Sequence, residues 1–383
     1  MIVRLDQALI LGLVLFTTQG LAANCSTISI TSESGAKTLR ETCRVITGDL
    51  TLGPFPQTAS SIYINLDGIE TITGNLNHDS GIDISDVGVT EVPFTVSSLT
   101  LKEVGGSVTF DESIDVSGLQ NFTMPNLATV LRSFSMGLGA ANFTYLDITS
   151  LEYVSQLTIG GTNLATLRHT KLSHATGLWV YDNSLDSIDS LFNNPLNLTS
   201  GADIYGLPNV KNVTVGFRSA SRLYVSSNLT VILGGSSATN MSLGAVQLFN
   251  LTGLQRSSHL NILTADSVDI RPGNGISQID VPFDDLRELS VREEAYNSEM
   301  ELRLPAKAVN WTGGFKLNID WSPQLNFSSI YGLDNQGNRV QNWFWPTNVS
   351  SISIYNAIIA NSFLYAQSKS PSAFHMERTV RFC

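Results

Sequence analysis

The sequence predicts a mainly β chain wound into a parallel solenoid. Three observations predict it: a short apolar phrase recurs along most of the chain, polar and apolar residues alternate inside each copy, and helix and hairpin signals are few. The phrase is an apolar residue, two others, an aliphatic residue, often a glycine two further on, then a short strand with a polar centre. Cys43, Ile46, Gly48, Leu50 and Leu52 form the first copy, and Ile69, Ile72, Gly74, Leu76 and His78 the second. Leu101, Val104, Gly106, Val108 and Phe110 follow, then Leu127, Val130, Phe134 and Met136, then, one residue shorter, Leu151, Val154, Leu157 and Ile159. A later copy is Leu207, Val210, Val213 and Val215, and weaker ones follow Leu254 and Ala308. Thr51, Asn77, Thr109, Ser135, Thr158, Thr214, Asn261 and Lys316 sit between the last two inward positions, which is the alternation of a half-buried strand.

A strand of roughly five residues every ~24 cannot bury its apolar face alone, so coils must stack on coils. Their strands then run in parallel ~4.8 Å apart, with Leu, Ile, Val and Phe laddered inside. Gly48, Gly74, Gly106 and Gly313 fit a tight bend where a side chain would obstruct the next coil. Only Ser34–Cys43 and Phe283–Glu294 carry a helical period, and both are expected as short helices. The competing fold is a β-sandwich, for which Asn274-Gly275 is the lone strong hairpin signal.

The N-terminus indicates the compartment. Arg4 precedes an uncharged run from Ala8 to Phe16, and Gly20-Leu21-Ala22 offers small residues for cleavage, so residues 1–22 read as a secretory signal peptide. The apolar run is too short for a membrane span, which needs ~20 residues. In an oxidising compartment Cys25 is expected to pair with Cys43 and pin the terminal coil, leaving Cys383 without an evident partner.

Charged residues make up 14% of the 383, below the roughly 25% usual in soluble proteins, while 45 Ser, 33 Thr and 29 Asn supply neutral polarity. The net charge of −11 opposes a nucleic-acid partner. Asn-X-Ser/Thr occurs at Asn24, Asn121, Asn142, Asn197, Asn212, Asn228, Asn240, Asn250, Asn310, Asn326 and Asn348, about twice the number that chance predicts. A glycoprotein is expected.

The opening Cys43-Arg-Val-Ile-Thr-Gly-Asp-Leu-Thr-Leu52 after Cys25, the Leu-X-X-Val-X-Gly-X-Val-X-Phe phrase, and the turns Met124-Pro-Asn-Leu127 and Leu207-Pro-Asn-Val210 resemble receptor L-domain repeats. More narrowly, they resemble fungal cell-wall organisation and sporulation-wall glycoproteins, usually held by a glycosylphosphatidylinositol (GPI) anchor. The resemblance covers about residues 25–335. It implies a right-handed leucine-rich β-helix over residues 23–335, as one unit or two consecutive L-like halves. The implied role is that of a surface glycoprotein in wall organisation, without catalysis, contacting wall polysaccharide or wall proteins. Residues 336–383 are expected to form a cap and an irregular basic tail; they carry no anchor signal, so a GPI anchor would require a different C-terminus.

Motifs for chemistry are poor. His78, His169, His174, His259 and His375 show no metal-ligand spacing, and His169 and His174, five apart, read as surface residues; no metal or cofactor site is expected. Asp284-Asp285 and Glu293-Glu294 are the acidic pairs that a polysaccharide-cleaving β-helix would use. Adjacent strand residues point to opposite faces, however, and a solvated face near Arg287 and Arg292 is the simpler account. Trp343 and Trp345, within Asn342-Trp-Phe-Trp-Pro346, are candidate glycan-contact aromatics, with the capping of a last coil as the competing role for them and for Trp311. Two other functions stay open: a polysaccharide-acting enzyme and a receptor-like ectodomain for a soluble ligand.

Overall fold

In a computed structural model the described residues are 23–81, 91–110, 118–137, 142–169, 171–235, 238–273, 276, 278–292, 299–305, 315–320, 326–333, 349–355, 358–359, 374–377 and 381–382. Side chains are described from Cys25 to Arg292 and at Leu302 and Arg303. The chain is mainly β and forms a solenoid of about eleven turns. Every strand pairing among the described residues is parallel, which excludes the sandwich.

Each coil gives one strand, or two short ones such as Thr71–Ile72 and Leu76–His78, to a large common sheet. Leu50, Leu76, Val108, Phe134, Leu157, Leu178, Ala202, Leu223, Val246, Val268 and Leu289 stand in register as successive rungs of its inner face. All are buried in one continuous core, each Leu, Val and Phe side chain contributing on the order of 1.5–3 kcal/mol and Ala202 less. Backbone pairing extends the ladder through Leu317, Ile352 and Phe374, so it continues past the boundary expected at residue 335. The other side of the coils is built from three smaller sheets in succession.

The N-terminal end is closed by local chemistry. Strand Ala23–Ile30 pairs with Cys43–Leu52, and a Cys25–Cys43 disulfide spans a Cα separation of 5.8 Å. Between them Glu33–Thr42 is helical: Ser32 caps it by accepting from Gly35 N, and Ala36 and Leu39 are buried. Glu33 Oε1 accepts from Tyr63 N at 2.7 Å and so occupies a backbone donor on the first strand of a smaller sheet, Ile62–Asn65.

Gly74 stacks on Gly48, and Gly106 on Gly74, at the bend before the strand. A Cβ on Gly74 would lie 2.5 Å from the Gly48 carbonyl carbon, so the approach of successive coils requires glycine. Gly313 lies outside the described residues.

Three expected copies are misplaced. Val213 and Val215 point inward, but their strand belongs to a smaller sheet with Thr230–Leu233 and Gly253–Arg256; the true rung of that coil is Leu223 and Val225. The Leu254 copy fails at its end, because Ile262 is 50% exposed and the inward pair is Val268 and Ile270. In the last copy the centre is Asn318 rather than Lys316, since Leu317 faces Leu289 and Ile319 faces Val291.

The helix expected over Phe283–Glu294 is a strand, Asp285–Arg292. Its helix-like spacing of Leu286 and Leu289 comes from a kink at Arg287, where the ladder pairing skips a residue and returns the next side chain to the interior. Leu243 and Val246, and Ala265 and Val268, repeat the device. Stacking on neighbouring coils overrides the local period.

Inside the N-terminal coils runs an aromatic column. Phe94, Phe110, Phe122 and Phe134 follow with ring centroids 5.4–6.5 Å apart. His78 stacks on Phe94 and Phe110, and its Nε2 lies 2.5 Å from Glu91 Oε1 with both side chains essentially unexposed. Glu91 Oε2 also accepts from Gly118 N at 2.6 Å. His169, expected at the surface, is buried, its ring nitrogens facing the backbone oxygens of Leu151 (3.1 Å) and Ser190 (3.4 Å). His174 is exposed and stacks on Tyr153.

Candidate functional site

The outward positions of the large sheet change character along the axis. In the first five rungs they are Thr51, Asn77, Thr109, Ser135 and Thr158, all half-buried and uncharged. Beside them Asp49, Asn75, Ser107 and Ser133 link coil to coil. Asp49 Oδ1 accepts from Asn75 N (2.7 Å) and Nδ2 (2.9 Å), Asn75 Oδ1 from Ser107 N (2.8 Å), and the hydroxyls of Ser107 and Ser133 are 3.0 Å apart. These groups mainly satisfy each other.

From the sixth rung onward the same face carries Trp179, Tyr181, Tyr205, Tyr224 and Phe249. Glycines set their posture. A Cβ on Gly160 would overlap the ring of Tyr181, and one on Gly177 the ring of Trp179, so both rings lie back on the sheet over bare backbone. Tyr181 and Tyr205 are within 11° of parallel with centroids 5.1 Å apart. Stacked planes touch at ~3.5–4 Å, so these rings are slipped like shingles and part of each face stays uncovered. Tyr224 then meets Tyr205 and Phe249 edge to face.

Charged groups border the rings. The Trp179 indole donates to Asp203, whose Oδ2 is 3.4 Å from Arg222 Nη2. Burial pushes the Asp203 carboxyl above its usual range, against the opposing pull of Arg222 and Trp179. Burial likewise raises the Tyr205 hydroxyl, helped by the negative charges of Asp182 and Asp203 on either side. Asp182 has a left-handed backbone (φ 44°) at the end of the Tyr181 strand. Guanidinium groups lie over two of the rings, Arg222 over Tyr224 at 5.4 Å and Arg271 over Phe249 at 4.5 Å.

Of the expected site residues, the acidic pair at 284–285 is divided. Asp284 bridges Arg256 Nη1 (2.8 Å) and Leu263 N (2.8 Å), a tie between coils whose carboxylate side chain stays 44% exposed, and Asp285 is half-buried. Glu293, Glu294, Trp311, Trp343 and Trp345 lie outside the described residues, as do Asn310 and Asn348. Among the sequon asparagines with described side chains, Asn142, Asn197, Asn212, Asn228, Asn240 and Asn250 are exposed and Asn121 is half-buried. Asn24 and Asn326 lie in strands whose side chains at those positions are not described. Among the described residues no group of three or more His, Cys, Asp or Glu comes together to hold a metal, and no helix is long and apolar enough to cross a membrane.

Sequence reasoning missed the aromatic strip because it missed the rungs that carry it. The signal was present: Tyr181, Tyr205, Tyr224 and Phe249 recur at coil-length intervals, each adjoining an inward aliphatic residue. No protein-family model matches the chain, and comparison with curated proteins and with solved structures found no match.

Proposed function

We propose that the chain is an extracellular glycoprotein that organises a fungal-type cell wall as a non-enzymatic scaffold, holding wall polysaccharide against the aromatic strip. The observation that carries this reading is the group of half-exposed rings formed by Trp179 over Gly177 and Tyr181 over Gly160, with Tyr205 stacked beside Tyr181, because sugars stack their C–H faces on open aromatic faces. Of the exposed sequon asparagines, Asn212 lies on a smaller sheet away from the strip, whereas Asn250 directly follows Phe249 at its edge. The leader-like N-terminus and the resemblance to wall glycoproteins supply the compartment.

The test is retention of the secreted protein on insoluble wall polysaccharide. The native chain is expected to be retained, and Trp179→Ala with Tyr205→Ser to lose most of that retention while keeping its β-type circular dichroism. Equal retention of the variant removes the reading. The enzyme alternative loses support at Asp284, whose oxygens are committed to Arg256 and the Leu263 amide.

A further inference from the structure

We infer that the strip takes a single unbranched, uncharged glycan of equatorially linked pyranoses, a β-1,4-type ribbon, laid along the solenoid axis at one sugar per rung. This rests on the polysaccharide-contact reading above and narrows it.

The first ground is spacing. Rungs of a parallel sheet repeat at ~4.8 Å, and a fully extended pyranose ribbon advances by about one such step per sugar. Tyr181, Tyr205 and Phe249 stand in one ladder column on the sixth, seventh and ninth rungs; Ser226 holds that place on the eighth, where Tyr224 sits two residues to the side and meets Tyr205 and Phe249 edge to face, so a straight chain meets a ring in line at three of four steps. A β-1,3-glucan winds helically and leaves that line within a few sugars. A branched mannan presents side chains where a flat sheet needs a flat ligand.

The second ground is charge. Within an acidic protein the strip is balanced: Asp182, Asp203 and Asp269 are matched by Arg222, Arg271 and Arg292, with Asp203 beside Arg222 and Asp269 3.7 Å from Arg292. A polyuronate would gain no net attraction here, nor would a polycation. A neutral chain loses nothing, and paired carboxylates and guanidiniums still offer acceptors and donors to hydroxyl groups.

The third ground is continuity. The same face runs back from Trp179 into Thr158, Ser135 and Thr109 without an exposed charge at those centres, so a ribbon longer than the rings continues over hydroxyl-bearing rungs.

The experiment titrates the whole secreted chain with neutral oligosaccharides from two to six sugars. Cello- and chito-oligosaccharides serve as the two β-1,4 sources, with laminari- and manno-oligosaccharides as the non-ribbon arms, followed by tryptophan fluorescence and calorimetry. Affinity is expected to rise several-fold with each added sugar up to about four in a β-1,4 series, and to be at least tenfold weaker for the other series. Gly160→Ala, which lifts Tyr181 while leaving the ring in the chain, should flatten the length dependence. Equal affinity for laminari- or manno-oligosaccharides, or no dependence on length, overturns the ribbon inference and leaves polysaccharide contact standing. No binding of any neutral glycan overturns both. Concentration-dependent dimerisation abolished by Tyr205→Ser also overturns the inference, because the face would then be filled by a second copy.

Discussion

The five rungs from Leu50 to Leu157 and the four from Leu178 to Val246 belong to one sheet and one core, yet they solve different problems. The first group spends its large residues inside, where Phe94, Phe110, Phe122, Phe134 and the His78–Glu91 pair fill the coils, and wears small hydroxyl and amide groups outside. In the second group the inward rung residues are aliphatic, the interior keeps one aromatic pair, Phe192 and Phe217, and the other rings lie on the outer face. In a solenoid each inward residue is constrained by the coil above and below, whereas an outward residue meets only solvent and its ladder neighbours. Function is therefore free to occupy the outer face without disturbing the stack.

The largest effect is expected where the N-terminal interior departs from a purely apolar ladder. Glu91→Leu leaves His78 buried against apolar neighbours, and removing one partner of a buried pair costs about 3–5 kcal/mol. Equilibrium denaturation should show that loss, and His78→Leu with Glu91→Leu together should recover the part due to the orphaned imidazole, while the Gly118 N–H, still without its acceptor, keeps about 1–3 kcal/mol of it. If the single and double variants are equally destabilised, the pair is not what holds this region. Next in size is Gly74→Ala, where the added methyl meets the Gly48 backbone, which cannot yield; overpacking of this kind costs about 1–3 kcal/mol. Gly160→Ala pushes only against a ring at the surface, so its denaturation midpoint should move far less than that of Gly74→Ala. Comparable shifts for the two would erase the distinction between the faces.

How much of this was open to a reader of residues alone follows from the same distinction. Inward pairs such as Leu50 and Leu52, or Leu157 and Ile159, announce themselves because burial on one side and solvent on the other force alternation. The signal fades once an outward slot is filled by an aromatic: Leu178-Trp179-Val180 and Leu223-Tyr224-Val225 read as unbroken apolar runs, and their coils went unseen. The kink that places Leu286 and Leu289 three apart imitates a helix for the same reason, since only the coils beside it show which way each side chain turns. The glycine cushions are visible in sequence as glycines, but that Gly160 lies under Tyr181, 21 positions later (181 − 160), depends on coil length, which no local pattern specifies.

The smallest predicted effects concern pH, and the two faces should respond with opposite sign. Burial holds the His169 imidazole below its ordinary value of 6.5, so the unfolded chain takes up the proton first. The stability His169 contributes is present above about pH 6.5 and is lost as the pH falls through its folded value; His169→Gln should flatten that acid slope. Asp203, on the outer strip, has its carboxyl raised above the ordinary 3.8 by burial, so here the folded state holds the proton more tightly. Its contribution is present below pH 3.8 and is lost as the pH rises through the folded value, so Asp203→Asn should relieve a small penalty at neutral pH. Denaturation midpoints measured from pH 4 to 8 in the two variants distinguish the cases. The same sign in both would mean that the aromatic strip is not dry enough to desolvate its carboxylate, and that its rings are less closely laid over the sheet than their contacts with Gly160 and Gly177 require.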